Sequence, residues 1–472
     1  MRTLWITLLL LSAPGWHPPL GAQNAPTARV RCTPRNGGLS LPDGLCAVVV
    51  GRDLGPVRHL AVAANGDVFV NAAKGGIVAL RDTTGDGAAD VIRRFGQGGT
   101  GIALADGWLY YATNDAVSRY RWRAGQLEPA EPAEIIVQGL PTGGHEAKSI
   151  AVGAGDALYV NLGSESNSCQ QTDRGDRSPG RDPCPELATR AGVWRFSASR
   201  SGQRLADGKR FATGLRNALG LAIHPASGAL WATTHGRDQL AQNWGFDERK
   251  SAENPGEELV RLEAGGDFGW PYCYYDVDLK TKLLAPEYGG DGSKPGRCAN
   301  AKRPVAVYPG HWAPMAVAFG RAGVLGDGYA DGAFIAFHGS WNRAPLPQAG
   351  YRVIWQPLAA GAPSKPFLSF ATGTAGDSSF RPSGLATGPD GSLYIAADAS
   401  GTVWRVVRSS DTRSRAAASD SQGTGPAVGE PAPDFALPAA TREGVSDRTV
   451  RLSEFKGKTV VLAFFFKART KG

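Results

Sequence analysis

The chain has 472 residues, enough for two or three domains with a sizeable core, and its 63 Gly and 32 Pro mark a protein made of turns. Its formal charge of +8 is uneven, because residues 442–472 alone hold eight Lys or Arg against three acids. The remainder is only mildly basic and shows no basic and aromatic stripe, which excludes a nucleic-acid partner.

Residues 1–22 carry one Arg, a Leu-rich run over 4–11 and the small pair Gly21-Ala22. This pattern reads as a secretory signal peptide, too short and weakly flanked for a membrane span; an uncleaved N-terminal anchor is the alternative. The expected location is periplasmic or secreted, with no membrane span after cleavage. The six Cys fall into local pairs, Cys32 with Cys46, Cys169 with Cys184 and Cys273 with Cys298. Behind a signal peptide they predict three disulfides, proximity choosing among about fifteen connectivities.

From residue 59 a hairpin recurs: HLAVAANGDVFV, GIALADGWLYY, SIAVGAGDALYV, GLAIHPASGALWA, MAVAFGRAGVLGDGYADGAFIAF and SGLATGPDGSLYI. Each is followed by a third strand-like run, such as GGIVAL or GTVWRV, and most by a fourth, such as DVIRRF or PVAVYP. Four short strands repeated six times predict an all-β fold, a six-bladed β-propeller of four-stranded blades over residues 23–408. The sixth repeat lacks its outer strand, and LCAVVVG at 45–51 is placed to supply it and close the ring. Within the first repeat, DTTGDGAAD (82–90) has acids at spacings a calcium loop could use, but Thr84 and the missing twelfth-position Glu depart from an EF-hand; a plain turn is the other reading. Residues 409–427 form a Ser, Ala and Gly-rich linker. Residues 428–472, with APDF, LSEFKGK and FFFKARTKG, resemble the start of a thioredoxin-like peroxiredoxin domain and end before the position of that family's reactive Cys. They are expected to be an incomplete fragment without thiol chemistry.

The loop entering each inner strand of a propeller opens at one rim, so the residues before those strands converge near the axis. They are Arg58, Gln97, His145 with Glu146 and Lys148, Arg216 with Asn217, His311, and Arg381. So many cationic groups imply an anionic or polar guest; hydrogen bonds between blades are the alternative use.

The runs GGHEAKSIAVGAGDALYV, GLRNALGLAIHPASGALWA, GGDFGWPYCYY and FHGSWNR resemble the soluble, six-bladed sugar dehydrogenases that depend on pyrroloquinoline quinone (PQQ), above all their L-sorbosone dehydrogenase-like branch. The resemblance spans about residues 45–407. It implies a periplasmic enzyme using PQQ and calcium to oxidise a sugar or sugar aldehyde. His145 takes the position of the family's base, a role imidazole suits because it titrates near working pH. The cofactor's three carboxylates call for guanidinium and ammonium groups, with Lys148, Arg216, Arg343 and Arg381 as candidates and Gln97 and Asn217 as neutral partners. In glucose-oxidising relatives the carbonyls of a Gly-Pro pair hold calcium; the matching place carries this role to Gly236 and Arg237, with the Pro replaced. Those relatives also orient the base with an acid where this chain has Ser164, so Glu165 or Glu146 would have to compensate. The absence of a CxxCH haem motif implies an external electron acceptor, a cytochrome or a quinone. A metal-dependent lactone hydrolase and a propeller without chemistry are the competing readings.

Overall fold

The alternation in each repeat has a direct structural cause. In a computed structural model, which describes residues 30–374, 378–409, 434, 436–441 and 444–458, the second strands of the repeats are apolar and buried on both faces. Val68–Ala72 and Leu393–Ala397 are buried at every position. Successive side chains of a strand point to opposite faces, so such a strand must lie between two neighbouring sheets. Phe69 packs with Ile102, Leu109 and Tyr111 of the following repeat. Val68 and Val70 face the other way, against Tyr394, Ala396 and Val403 of the last one.

Six sheets result, each with a core of four antiparallel strands, arranged as the blades of a propeller. The inner strands are Val57–Val62, Ile102–Ala105, Ile150–Gly153, Gly220–Ile223, Pro314–Phe319 and Pro382–Thr387. A separate apolar cluster fills each of the six interfaces between successive blades. The largest rings are Trp231 against Val317 and Phe337 between blades 4 and 5, and Trp355 with Phe334 against Trp404 between blades 5 and 6. The expected closure is present: Leu45–Gly51 pairs antiparallel with Thr402–Arg408, with Leu45 opposite Arg408 and Val49 opposite Trp404. Leu39–Ser40 adds a further short strand to the outer edge of blade 5, which the repeat pattern does not announce.

All three disulfides form as the local pairs, Cys32–Cys46, Cys169–Cys184 and Cys273–Cys298. The first ties the chain's start to the closing strand; the other two staple long insertions of blades 3 and 4. In the 82–90 loop, Asp82 accepts N–H groups from Gly85 and Gly87 at 2.6 and 2.7 Å, and Asp90 accepts that of Thr83 at 2.6 Å. These carboxylates close their own turn. Below the polar rim, the ends of the inner strands surround a cavity of about 540 Å³, lined by Leu60, Ile150, Leu221 and Val317 together with His59 and Arg321.

The chain divides after Ser409 into two units. In the second, Ala436–Thr441 pairs antiparallel with Gly444–Arg451, followed by a short turn of helix at Leu452–Phe455. Residues 1–22 and most of the 409–427 linker lie outside the described residues. Among the described residues no helix is long and apolar enough to cross a membrane.

The closing strand makes a sharp test of this architecture. Ala47, fully buried in it, packs into the cluster of blades 5 and 6. Ala47→Asp places a carboxylate there without a partner and is expected to lower the unfolding free energy by about 3 kcal/mol or more, read by urea denaturation.

Candidate active site

The loops entering the inner strands meet at one rim, and the loop ahead of blade 3 carries His145. Its Nδ1 lies 2.9 Å from the Ser164 carbonyl and 3.0 Å from the Ser164 hydroxyl. A carbonyl only accepts, so Nδ1 carries the proton and Nε2 keeps its lone pair. The two loops touch closely. A Cβ on Gly144 would lie 2.2 Å from the Glu165 carbonyl, and one on Gly163 would lie 2.6 Å from the Cβ of His145. Glycine is required at both places, and at Gly144 the backbone also has a φ of +57°. Burial, followed by the charge of Arg216, pushes the His145 imidazole down to about 3. At neutral pH it is an uncharged acceptor.

Next along the rim, Arg216 is buried and donates to the Gly236 carbonyl (2.9 Å), the Asn167 side chain (3.1 Å) and Asp238 (2.9 Å). Asp238 gathers this side of the rim. One oxygen accepts from Arg216 and Arg174 at 2.9 and 3.0 Å. The other accepts from Asn342 at 2.8 Å and faces His311 at 3.6 Å. Burial works to raise the Asp238 carboxyl, but Arg216, His311 and Arg174 outweigh it and hold it well below the usual carboxylate range. Behind it, Glu257 accepts the N–H groups of Gly236 and Ala313, and burial pushes its carboxyl up to about 7.

The opposite side is cationic. Arg58 and His338 both pair with Asp398, at 3.2 and 2.9 Å, and Arg381 stands 2.9 Å from His338. Two guanidinium groups and an imidazole thus face one carboxylate. His235, whose Nε2 lies 2.9 Å from the Pro314 carbonyl, is held at about 4 by burial and by Arg216.

The structure brings His145, Arg216, Asn217 and Gly236 together, with His311 reaching them through Asp238 and Arg381 on the cationic side. Lys148 and Arg343 are turned elsewhere. Lys148, wholly buried, donates to the carbonyls of Pro141 and Glu146. Arg343 donates to those of Ala252 and Gly310 and pairs with Glu253. Both long side chains are used to anchor loops whose carbonyls would otherwise be buried unpaired. Gln97 stands exposed in the loop ahead of blade 2, and Arg237 pairs with the buried Glu287. Neither Glu146 nor Glu165 is the acid at His145: Glu146 accepts from Gly143 and Asn114, and Glu165 faces Arg190 at 3.8 Å.

Residues 39–409 match a family described as TrAA12-like. The chain belongs to that family. A PQQ-dependent sugar dehydrogenase of Hypocrea jecorina is 23% identical over 339 residues, covering 66% of this chain and 74% of that protein. A PQQ-dependent pyranose dehydrogenase of Coprinopsis cinerea is 28% identical over 239 residues, 43% of this chain and 32% of that protein, so the match spans about a third of its length. Among solved structures, a calcium structure of the Trichoderma reesei family AA12 enzyme superposes with a TM-score of 0.67 at 20% identity, covering 79% of this chain and 97% of that one. At that identity the likeness shows the fold, which is the same propeller.

Family membership leaves the individual site residues to be judged on their geometry. The rim suits an anion such as PQQ. Arg58 and Arg381 together exceed the charge of Asp398, and the buried Asn217 side chain lies against the contact of Gly163 with His145. For calcium, hard oxygens are present in kind at Gly236 and Asp238, but both accept from Arg216, so an ion there competes with that guanidinium. The one group of three metal-type side chains among the described residues is Cys169, Cys184 and Glu186, whose cysteines are joined in a disulfide.

Asp238, His338, Asn342 and Asp398 were not singled out as site residues from the sequence. His338 and Asn342 lie in the same FHGSWNR run that drew attention to Arg343, and Asp238 follows directly on the Gly236-Arg237 pair. Asp238→Asn leaves Arg216 buried without its countercharge. It is expected to cost about 3 kcal/mol of stability at neutral pH. Because the folded-state carboxyl is depressed, this contribution exists above the ordinary carboxyl range and fades as pH falls below it, so urea denaturation of variant and native chains should converge toward acid.

Proposed function

We propose that this chain is a PQQ-dependent oxidoreductase that removes hydride and proton from a C–OH group of a sugar, with electrons passing afterwards to an external acceptor. The observation that carries the reading is the state of His145: Nδ1 is committed to Ser164, which leaves Nε2 as the ring's acceptor. Kinship to PQQ-dependent sugar and pyranose dehydrogenases supports the substrate class.

When bound, the quinone supplies a two-electron acceptor for hydride. The chain's own residues do the rest. Arg58, Arg381 and His338 would hold its carboxylates, and Asn217 would give it a neutral partner. His145 Nε2 takes the substrate's hydroxyl proton as the C–H bond yields its electron pair. Arg216, fixed by Asp238 and Asn167, stands beside His145 and favours negative charge building up next to it. Trp341, 68% exposed beside the anchored Asn342, offers a flat apolar face to a sugar ring. Calcium would be held by the Gly236 and Arg237 carbonyls, the first of them in competition with Arg216. Residues 1–22 and the three disulfides support export to an oxidising compartment, and residues 428–472 we read as a redoxin-like segment.

His145→Ala is expected to reduce turnover of aldoses in a dye-reduction assay by at least about a hundredfold while leaving PQQ affinity within about twofold. Unchanged turnover would remove His145 from the mechanism. Since His145 is held at about 3, the base stays unprotonated through mildly acidic conditions, and the acid limb of kcat/KM should not fall at the ordinary histidine pKa. Arg381→Ala and Arg58→Ala should each weaken PQQ binding about tenfold, measured by titration.

A further inference from the structure

The acid that sequence reasoning seeks at His145 is replaced by a chain of contacts leading further back. Ser164 gives its hydroxyl proton to the Ser166 carbonyl at 2.7 Å, so toward His145 that hydroxyl can only accept. Ser166 is itself held at several points by Glu186. One carboxylate oxygen of Glu186 accepts the N–H groups of Glu165 (2.8 Å) and Ser166 (3.3 Å). The other accepts the Ser166 hydroxyl, which also receives the Cys169 N–H at 2.8 Å.

Glu186 sits in the short turn Pro185–Ala188, just after Cys184, whose disulfide partner Cys169 lies just after Ser166. The same turn reaches the other side of the base. The Arg190 N–H donates to the Glu186 carbonyl at 2.8 Å, and the Arg190 guanidinium donates to the carbonyls of Thr142 and Gly143, in the loop that delivers His145. One disulfide-stapled turn thus grips both loops that meet at the imidazole.

We propose that Glu186 is a positioning residue for His145: by fixing the Ser166 carbonyl it commits the Ser164 hydroxyl to accept, so that this hydroxyl joins the Ser164 carbonyl in holding the proton on Nδ1 and leaves Nε2 free as the base. If the Ser166 carbonyl drifts, the Ser164 hydroxyl can turn and donate to Nδ1, moving the imidazole proton to Nε2 and blocking the base. The inference rests on His145 acting as base, but its first test needs no quinone.

The full chain contains seven histidines, few enough for ¹⁵N-histidine labelling, with the His145 signal assigned by comparison with His145→Gln. At neutral pH the native protein should show His145 as the Nδ1–H tautomer. Glu186→Ala should introduce the Nε2–H tautomer and lower kcat about tenfold with KM within about twofold, and Glu186→Gln, which retains an acceptor and a donor of the same shape, should largely restore both. A folded Glu186→Ala chain that keeps a single Nδ1–H tautomer overturns the proposal, even if kcat falls, because only a general structural role would remain. Should Glu186→Ala fail to fold, Ser166→Ala is read in the same way, and an unchanged tautomer there overturns it. If the native chain oxidises no sugar, the function proposed above fails while the tautomer still decides the role of Glu186.

Discussion

The carboxylate of Asp238 is the contact on which the polar rim depends. It is largely buried, and a lone charge there would be costly, yet Arg174, Arg216, His311 and Asn342 converge on it from four separate parts of the chain. Arg174 also reaches Gln239, and His311 the carbonyls of Ser251 and Asn254. Arg216 reaches on to the Gly236 carbonyl and to Asn167, and its backbone carbonyl accepts the N–H of Ser164, the residue that holds His145. The charge network and the orientation of His145 are therefore one assembly.

The propeller makes that assembly possible because it supplies walls that cannot easily move. Each blade buries both faces, so its inner strand is pinned by two apolar clusters, and the loop entering that strand inherits the rigidity. The polar groups of the rim sit where the strands begin, and their burial there lowers the pKa of Arg216 and of His145. Long insertions would be the weak point of such a design, and two of the three disulfides are placed in them.

Much of the fold was legible in the sequence because period-two alternation and six-fold repetition are both direct consequences of blades packed face to face. The closing strand at 45–51 and the local disulfides could be read for the same reason: each satisfied a visible deficit in the pattern. His145, Arg216 and Asn217 were legible because their place ahead of an inner strand brings them to the axis. The direction of a long side chain is not encoded by such a position, and Lys148 and Arg343 instead turn back to bind loop carbonyls. Asp238 and Glu186 escaped notice because they act across long loops, and spacing says nothing of what such loops touch. The sequence did show that an acid was missing at Ser164; it could not show that the support comes from the far end of a disulfide loop.

The central claim is that this rim receives a quinone and uses it to oxidise sugars. Titration of the full chain with PQQ, followed by addition of an aldose and observation of the cofactor's own absorbance, tests it most directly. The account predicts saturable binding of one quinone per chain and bleaching of the oxidised cofactor when sugar is added. A titration that never saturates would contradict it and return the rim to the role of a polar lining between blades.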